Sequence, residues 1–182
     1  MSRLELAPRG DGWGLPLAGQ QVTRVWLDNE SVGLLCRNSV QLSIAEPFML
    51  TSPEGIPARL DPSGRPGALA PALTVLRQVI REGTAFRDGR LELAFADGTQ
   101  FSVPASTDYE AWMLAGPGGP DGLKVVSMPG GDLAIWDDKR PPGTRPRGTS
   151  GPDPADTKTD HPSGEDGELS DESGPLAESD AG

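Results

Sequence analysis

Histidine and cysteine are almost missing from this chain: His161 and Cys36 are the single examples among 182 residues. One thiol closes no intrachain disulfide, and one of each leaves too few ligands for a zinc site built from Cys and His. His161 falls in a stretch rich in Pro, Gly and acids. The apolar part of the chain therefore has no imidazole to serve a Ser-His-Asp or Cys-His nucleophile. No apolar run approaches the ~20 residues of a membrane span. The opening MSRLELAPRGDGWG also lacks the apolar stretch of a secretion signal. These absences lead to the expectation of a protein of the reducing cytoplasm, with no membrane contact, no metal and no cofactor.

The composition changes near Asp138. Before it, apolar runs alternate with turn residues; after it, PPGTRPRGTSGPDPADTKTDHPSGEDGELSDESGPLAESDAG has almost nothing to bury. Such a segment cannot offset the entropy of ordering, so residues 139–182 are expected to be a disordered tail. Residues 13–138 are expected to be one β-rich domain, and residues 1–12 a flexible arm. The net charge of −11 belongs mostly to the tail. From Gly148 to Gly182 there are ten acids against Lys158 alone, which leaves 17 acids and 15 bases for residues 1–147. Lys139, Arg140, Arg145 and Arg147 make the start of the tail basic. An acidic chain of this kind is expected to repel nucleic acid.

Val32, Leu34 and Cys36 alternate with less apolar neighbours, and so do Val40, Leu42 and Ile44 beyond Asn38-Ser39. This is the pattern of a hairpin with one apolar face. The pattern returns 59 residues later as Leu91, Leu93, Phe95, Phe101 and Val103, around Asp97-Gly98. Asp-Gly suits a type I′ turn, whose two central residues need positive φ. Gln78-Val79-Ile80-Arg81 likewise resembles Gln21-Val22-Thr23-Arg24. Two copies of a strand-plus-hairpin unit follow, against the alternative that any two amphipathic hairpins look alike. Between them Leu69, Ala72, Leu73 and Leu76 form a stripe of helical period, with Pro71 in its first turn. The spacing predicts one short helix over Ala68–Arg77. Tyr109–Ala115, Leu123–Met128 and Asp132–Trp136 read as a closing antiparallel meander. The fold class is mainly β: antiparallel meanders forming a sandwich or barrel, with one short helix near 68–77.

Candidate chemistry is sparse. Cys36 sits on an apolar strand face, where thiols are inert. Asp108 and Glu110 share a strand direction and Asp137-Asp138 follow Trp136, but no spacing brings acids to one point as a hydrolase or hard metal requires. The loops GPGGPDG and PGGD precede strands, not helices, so they read as turns and not as phosphate cradles. Lys124 is then an outward strand residue. Trp112 and Trp136 read as packing, or else as anchors of a partner-binding patch. Trp26 shares a strand face with Arg24 and Asp28 and is the first candidate for a contact residue. Possible partner contacts are therefore Trp26, Arg24, Trp112 and Trp136.

The pattern Tyr109-Glu110-Ala111-Trp112, Val125 to Gly131 (VVSMPGG) and Leu133-Ala134-Ile135-Trp136 resembles that of a family of small uncharacterised bacterial proteins, a domain of unknown function. The resemblance covers roughly residues 18–137. It implies one compact domain and carries no catalytic or binding residue with it. The function expected from the residues is a non-enzymatic, soluble interaction module whose partner is another protein, one form of which would be an antagonist in the manner of toxin-immunity proteins. A small-molecule-binding β-barrel and a carboxylate-dependent hydrolase are the alternatives.

Overall fold

A computed structural model describes residues 4–117 and 122–136. The acidic tail, the basic run from Lys139, Asp137-Asp138 and His161 lie outside the described residues. Strands β1 (Ala7–Arg9), β2 (Gly12–Gly14), β3 (Val22–Leu27), β4 (Val32–Cys36), β5 (Gln41–Ile44), β6 (Phe48–Thr51) and β7 (Pro57–Leu60) precede a 3-10 helix, Pro66–Val75. Strands β8 (Ile80–Phe86), β9 (Leu91–Phe95), β10 (Gln100–Val103), β11 (Trp112–Ala115), β12 (Lys124–Ser127) and β13 (Leu133–Trp136) follow. They build two antiparallel sheets, ordered β1-β2-β8-β9-β10-β6-β7 and β13-β12-β11-β5-β4-β3. Each sheet keeps two edges, so the architecture is a sandwich and no barrel closes. That removes the vessel assumed by the β-barrel alternative.

The alternation read from the sequence decides what goes inside. Val32, Leu34, Leu42 and Ile44 of one sheet meet Leu91, Leu93, Phe95, Phe101 and Val103 of the other in one buried core. Phe101 lies 5.1 Å from Phe48 and 5.2 Å, edge-on, from Phe95, the offset geometries aromatic rings prefer. The closing meander is present as β11–β13, although Tyr109 and Glu110 lie ahead of its first strand.

The two halves are related more closely than their sequences reveal. Gln21 pairs with Val79 in an antiparallel bridge, flanked by Val22 N–H to Gln78 O (2.9 Å) and Ile80 N–H to Gln20 O (2.8 Å). The first strands of the two copies thus cross each other about a local two-fold axis. Each strand also carries an irregularity at the same place, between Val22 and Arg24 and between Ile80 and Glu82. The first strands therefore correspond at an offset of 58, not the 57 that the Gln-Val matches suggest. The difference is a single residue. After β5 the chain leaves for the second sheet, where β6 pairs with β10; after β10 it returns, and β11 pairs with β5. Each copy donates its next strand to the other.

One turn recurs throughout. In the hairpins closed at 36–40, 52–56, 86–90, 95–99 and 128–132, the first N–H bonds to the fifth carbonyl and the fourth N–H to the first carbonyl. The fourth residue has positive φ each time: Ser39, Gly55, Gly89, Gly98 and Gly131. This is a three-residue loop ending in a left-handed residue, and not the type I′ turn expected at Asp97-Gly98. Asp97 accepts the Thr99 N–H at 3.0 Å, as Asn38 does the Val40 N–H at 3.3 Å. The side chain thereby stabilises the tighter local bend.

Two expectations are corrected. Part of the arm expected over residues 1–12 is a hairpin: β1 pairs with β2, and β2 with β8. It is fastened by Arg9 to Glu82 (2.7 Å) and by the Arg87 guanidinium 4.8 Å over the Trp13 ring. The helix is of 3-10 type, with three residues per turn. It therefore buries Leu69, Ala72 and Val75, at i, i+3 and i+6. The predicted stripe of period 3.6 is broken, leaving Leu73 45 % and Leu76 41 % exposed.

Two measurements check this packing. Val75→Ala is expected to cost about 2 kcal/mol in denaturant unfolding, from lost burial and the cavity left behind. Leu76→Ala should stay within about 0.5 kcal/mol; the reverse order would mean an α-helical face. Burial also raises the Cys36 thiol from 9.0 to about 11. The unfolded thiol ionises first, so this contribution to stability is complete below pH 9 and is lost as the pH rises toward 11. Substituting Ser for Cys36 should abolish that part of the alkaline decline in a melting series.

Candidate functional site

The closing meander and the β8–β9 turn meet at one buried oxygen. Trp112 Nε1 donates to the Gly89 carbonyl at 2.7 Å and Ser127 Oγ donates to the same oxygen at 2.9 Å. A Cβ on Gly89 would stand 2.6 Å from Gly131 O, and one on Gly131 would stand 2.7 Å from Asp88 O. The Gly130 N–H reaches Ser106 O at 2.9 Å. Trp112, Ser127 and the Pro-Gly-Gly turn thus form a lock between the sheets. Trp112 is 1 % exposed. As a partner contact it is a correction: its indole is spent inside the molecule.

The remaining contact candidates fall at two distant places. Trp136 is 40 % exposed at the β13 edge, with the Lys124 ammonium 5.4 Å from its ring. Arg24 and Trp26 lie on β3, the opposite edge of the same six-stranded sheet. At about 4.8 Å per strand the two edges stand roughly 24 Å apart, so they make no single patch.

The β3 edge is the better built of the two. Trp26 lies flat across Gly33 of β4, where a Cβ would come within 1.9 Å of the ring. Glycine at 33 is what lets the indole settle on the sheet. The Trp26 Nε1 donates to Asp28 Oδ2 at 3.0 Å, which fixes the ring at the strand end. Arg24 is exposed and Trp26 half-buried.

The 3-10 helix packs along β3. Its three-residue period sends Leu69, Ala72 and Val75 inward and leaves Ala70, Leu73 and Leu76 in a row outside, with exposed Val79 three residues on. Leu76 N–H bonds to Leu73 O (3.1 Å), which extends the same winding through the row. At one end of the helix a depression of about 800 Å³ opens, lined by Leu27, Asp28, Asn29, Pro62, Pro66 and Leu69. At the other end Arg77 adopts φ 70. Sequence reasoning placed Arg24 and Trp26 here but missed the row, because a period of 3.6 had assigned Leu73 and Leu76 to the core.

Among the described residues, acidic groups do not gather as a metal site would require. Asp108 and Glu110 are exposed in the loop ahead of β11. A hydrogen bond to Glu46 holds the Tyr109 hydroxyl above its ordinary range, and Glu46 Oε2 is buried without a hydrogen-bond partner. Among the described residues, no three His, Cys, Asp or Glu side chains converge as a metal would need. No helix among them is long and apolar enough to cross a membrane.

No curated protein and no solved structure matches the chain. A family model does, across residues 13–137, which span both sheets, the Gly89 lock and the β3 edge. The chain therefore belongs to the family of unknown function DUF6188.

Proposed function

We propose that the protein is a non-enzymatic interaction module that holds another protein at the β3 edge, in the cytoplasm. One observation carries this reading. The 3-10 winding keeps two leucines 45 % and 41 % exposed in a row, on an element anchored through its other face and packed along β3, the strand that carries Arg24 and Trp26. Exposed apolar side chains together with a fixed aromatic ring and an arginine on neighbouring elements are the composition of interface cores. Trp26 is held in place before any partner arrives, by Gly33 beneath it and Asp28 at its edge. Little ordering entropy is then lost on binding.

The test is site-directed photo-crosslinking of the full chain in its native cells. A crosslinker at Leu73 should give a discrete adduct with one protein, whereas one at exposed Ser102 on β10 should not. Leu73→Ser with Leu76→Ser should abolish capture by a probe at Arg24 and leave the melting temperature nearly unchanged. Identical adduct patterns from Leu73 and Ser102 would contradict the assignment.

A further inference from the structure

The charge beside the apolar row narrows what it binds, an inference that rests on reading the β3 edge as an interaction face. Arg77 is one of two non-glycine residues with positive φ among the described residues. Glycine would hold that bend without strain, so the backbone gives no reason for a long cationic side chain there. Arg77 N–H donates to Val22 O at 2.9 Å, and its carbonyl accepts from Gln21 Nε2 at 3.0 Å. Gln21 Oε1 in turn accepts from Arg37 Nη2 at 3.1 Å. Gln21 thus links the Arg37 guanidinium to the Arg77 backbone, which brings two exposed arginines to one place, next in sequence to Leu76 and close to Val79, the bridge partner of Gln21. Among the described residues neither arginine has an acidic partner.

The row itself has a spacing. Leu73 and Leu76, which caps the helix, stand three residues apart along a winding that rises about 2.0 Å per residue, a step of about 6 Å. Alternate side chains of an extended strand, about 6.6 Å apart, match that step. We propose that the β3 edge binds an extended acidic polypeptide segment. Its alternating apolar side chains seat on Leu73 and Leu76, and a carboxylate beyond them bonds to Arg77 and Arg37. Guanidinium groups suit this role because their planar N–H pairs match a carboxylate. An anionic bilayer is the less favoured occupant, since two arginines hold a membrane surface by only about 1 kcal/mol each and a bilayer does not use the step of the row.

The probe is a fluorescent decapeptide alternating leucine and serine and ending in two glutamates, titrated with the full chain and read by anisotropy. A counterpart ending in two lysines serves as control. The acidic peptide should bind at least about tenfold more tightly than the basic one, the scale set by losing charge-assisted bonds. Arg77→Asn combined with Arg37→Gln should weaken it about tenfold and flatten its salt dependence. The fold should survive, because asparagine tolerates the left-handed region. Equal affinity for both peptides, no binding of the acidic one, or capture only by phosphatidylserine vesicles would overturn the proposal. If the arginine variants bind normally and Leu73→Ser with Leu76→Ser does not, the acidic assignment alone fails. If the leucine variants also bind normally, the interaction face fails with it.

Discussion

A single carbonyl oxygen, that of Gly89, accepts two buried hydrogen bonds from the sheet opposite its own, and the sandwich is arranged around that fact. The donors come from the ends of two strands of the closing meander, Trp112 and Ser127. The bend that presents the oxygen needs a left-handed residue, and the turn resting against it leaves no room for a Cβ at either glycine. A buried carbonyl without donors would cost about 1–3 kcal/mol. Pairing it from β11 and β12 therefore ties the last segments of the domain to its second hairpin. Trp112, Ser127 and the Gly130-Gly131 turn, on which the resemblance in the sequence rests, are in this sense structural.

The two halves of the domain diverge at this point. β6 pairs with β10 as β11 pairs with β5, so Phe48 stands where Trp112 stands and Leu60 where Ser127 stands. The polar pair that fastens the β8–β9 turn is replaced by two apolar side chains. The β3–β4 turn is left beside an open depression, with the 3-10 helix laid along its strand. The locked half is closed by its own side chains. The unlocked half presents Trp26, the leucine row and the arginines. The approximate two-fold correspondence thus leaves one closed end and one exposed face, and the proposed binding role belongs to the second.

Much of the fold is legible in the sequence because strand alternation is strictly local. Val32, Leu34 and Cys36, or Leu91, Leu93 and Phe95, face one way whatever else the chain does. The meander and its glycine-rich turns are legible for the same reason. The helix type is not. Leu69, Ala72, Leu73, Val75 and Leu76 fit a period of 3.6 almost as well as one of 3.0, and only the packing against β3 shows which leucines stay outside. The Gly89 lock was equally out of reach, since its donors are 23 and 38 residues away and on another sheet. Trp26 was found as a contact candidate because its strand neighbours Arg24 and Asp28 are charged, a signal of short range. Trp112 reads in the sequence as packing or else as an anchor, and what decides for packing is a turn 23 residues earlier in the chain.

The most direct test of this account is a double-mutant cycle on the shared oxygen, using Trp112→Phe, Ser127→Ala and both together, with unfolding free energies from denaturant titration. Each single change leaves Gly89 O with one donor. The double change strands it in the core, so the combined loss should exceed the sum of the separate losses by about 1 kcal/mol or more. Losses that add to within about 0.5 kcal/mol would show that the two bonds act independently, and that this carbonyl does not hold the sandwich together.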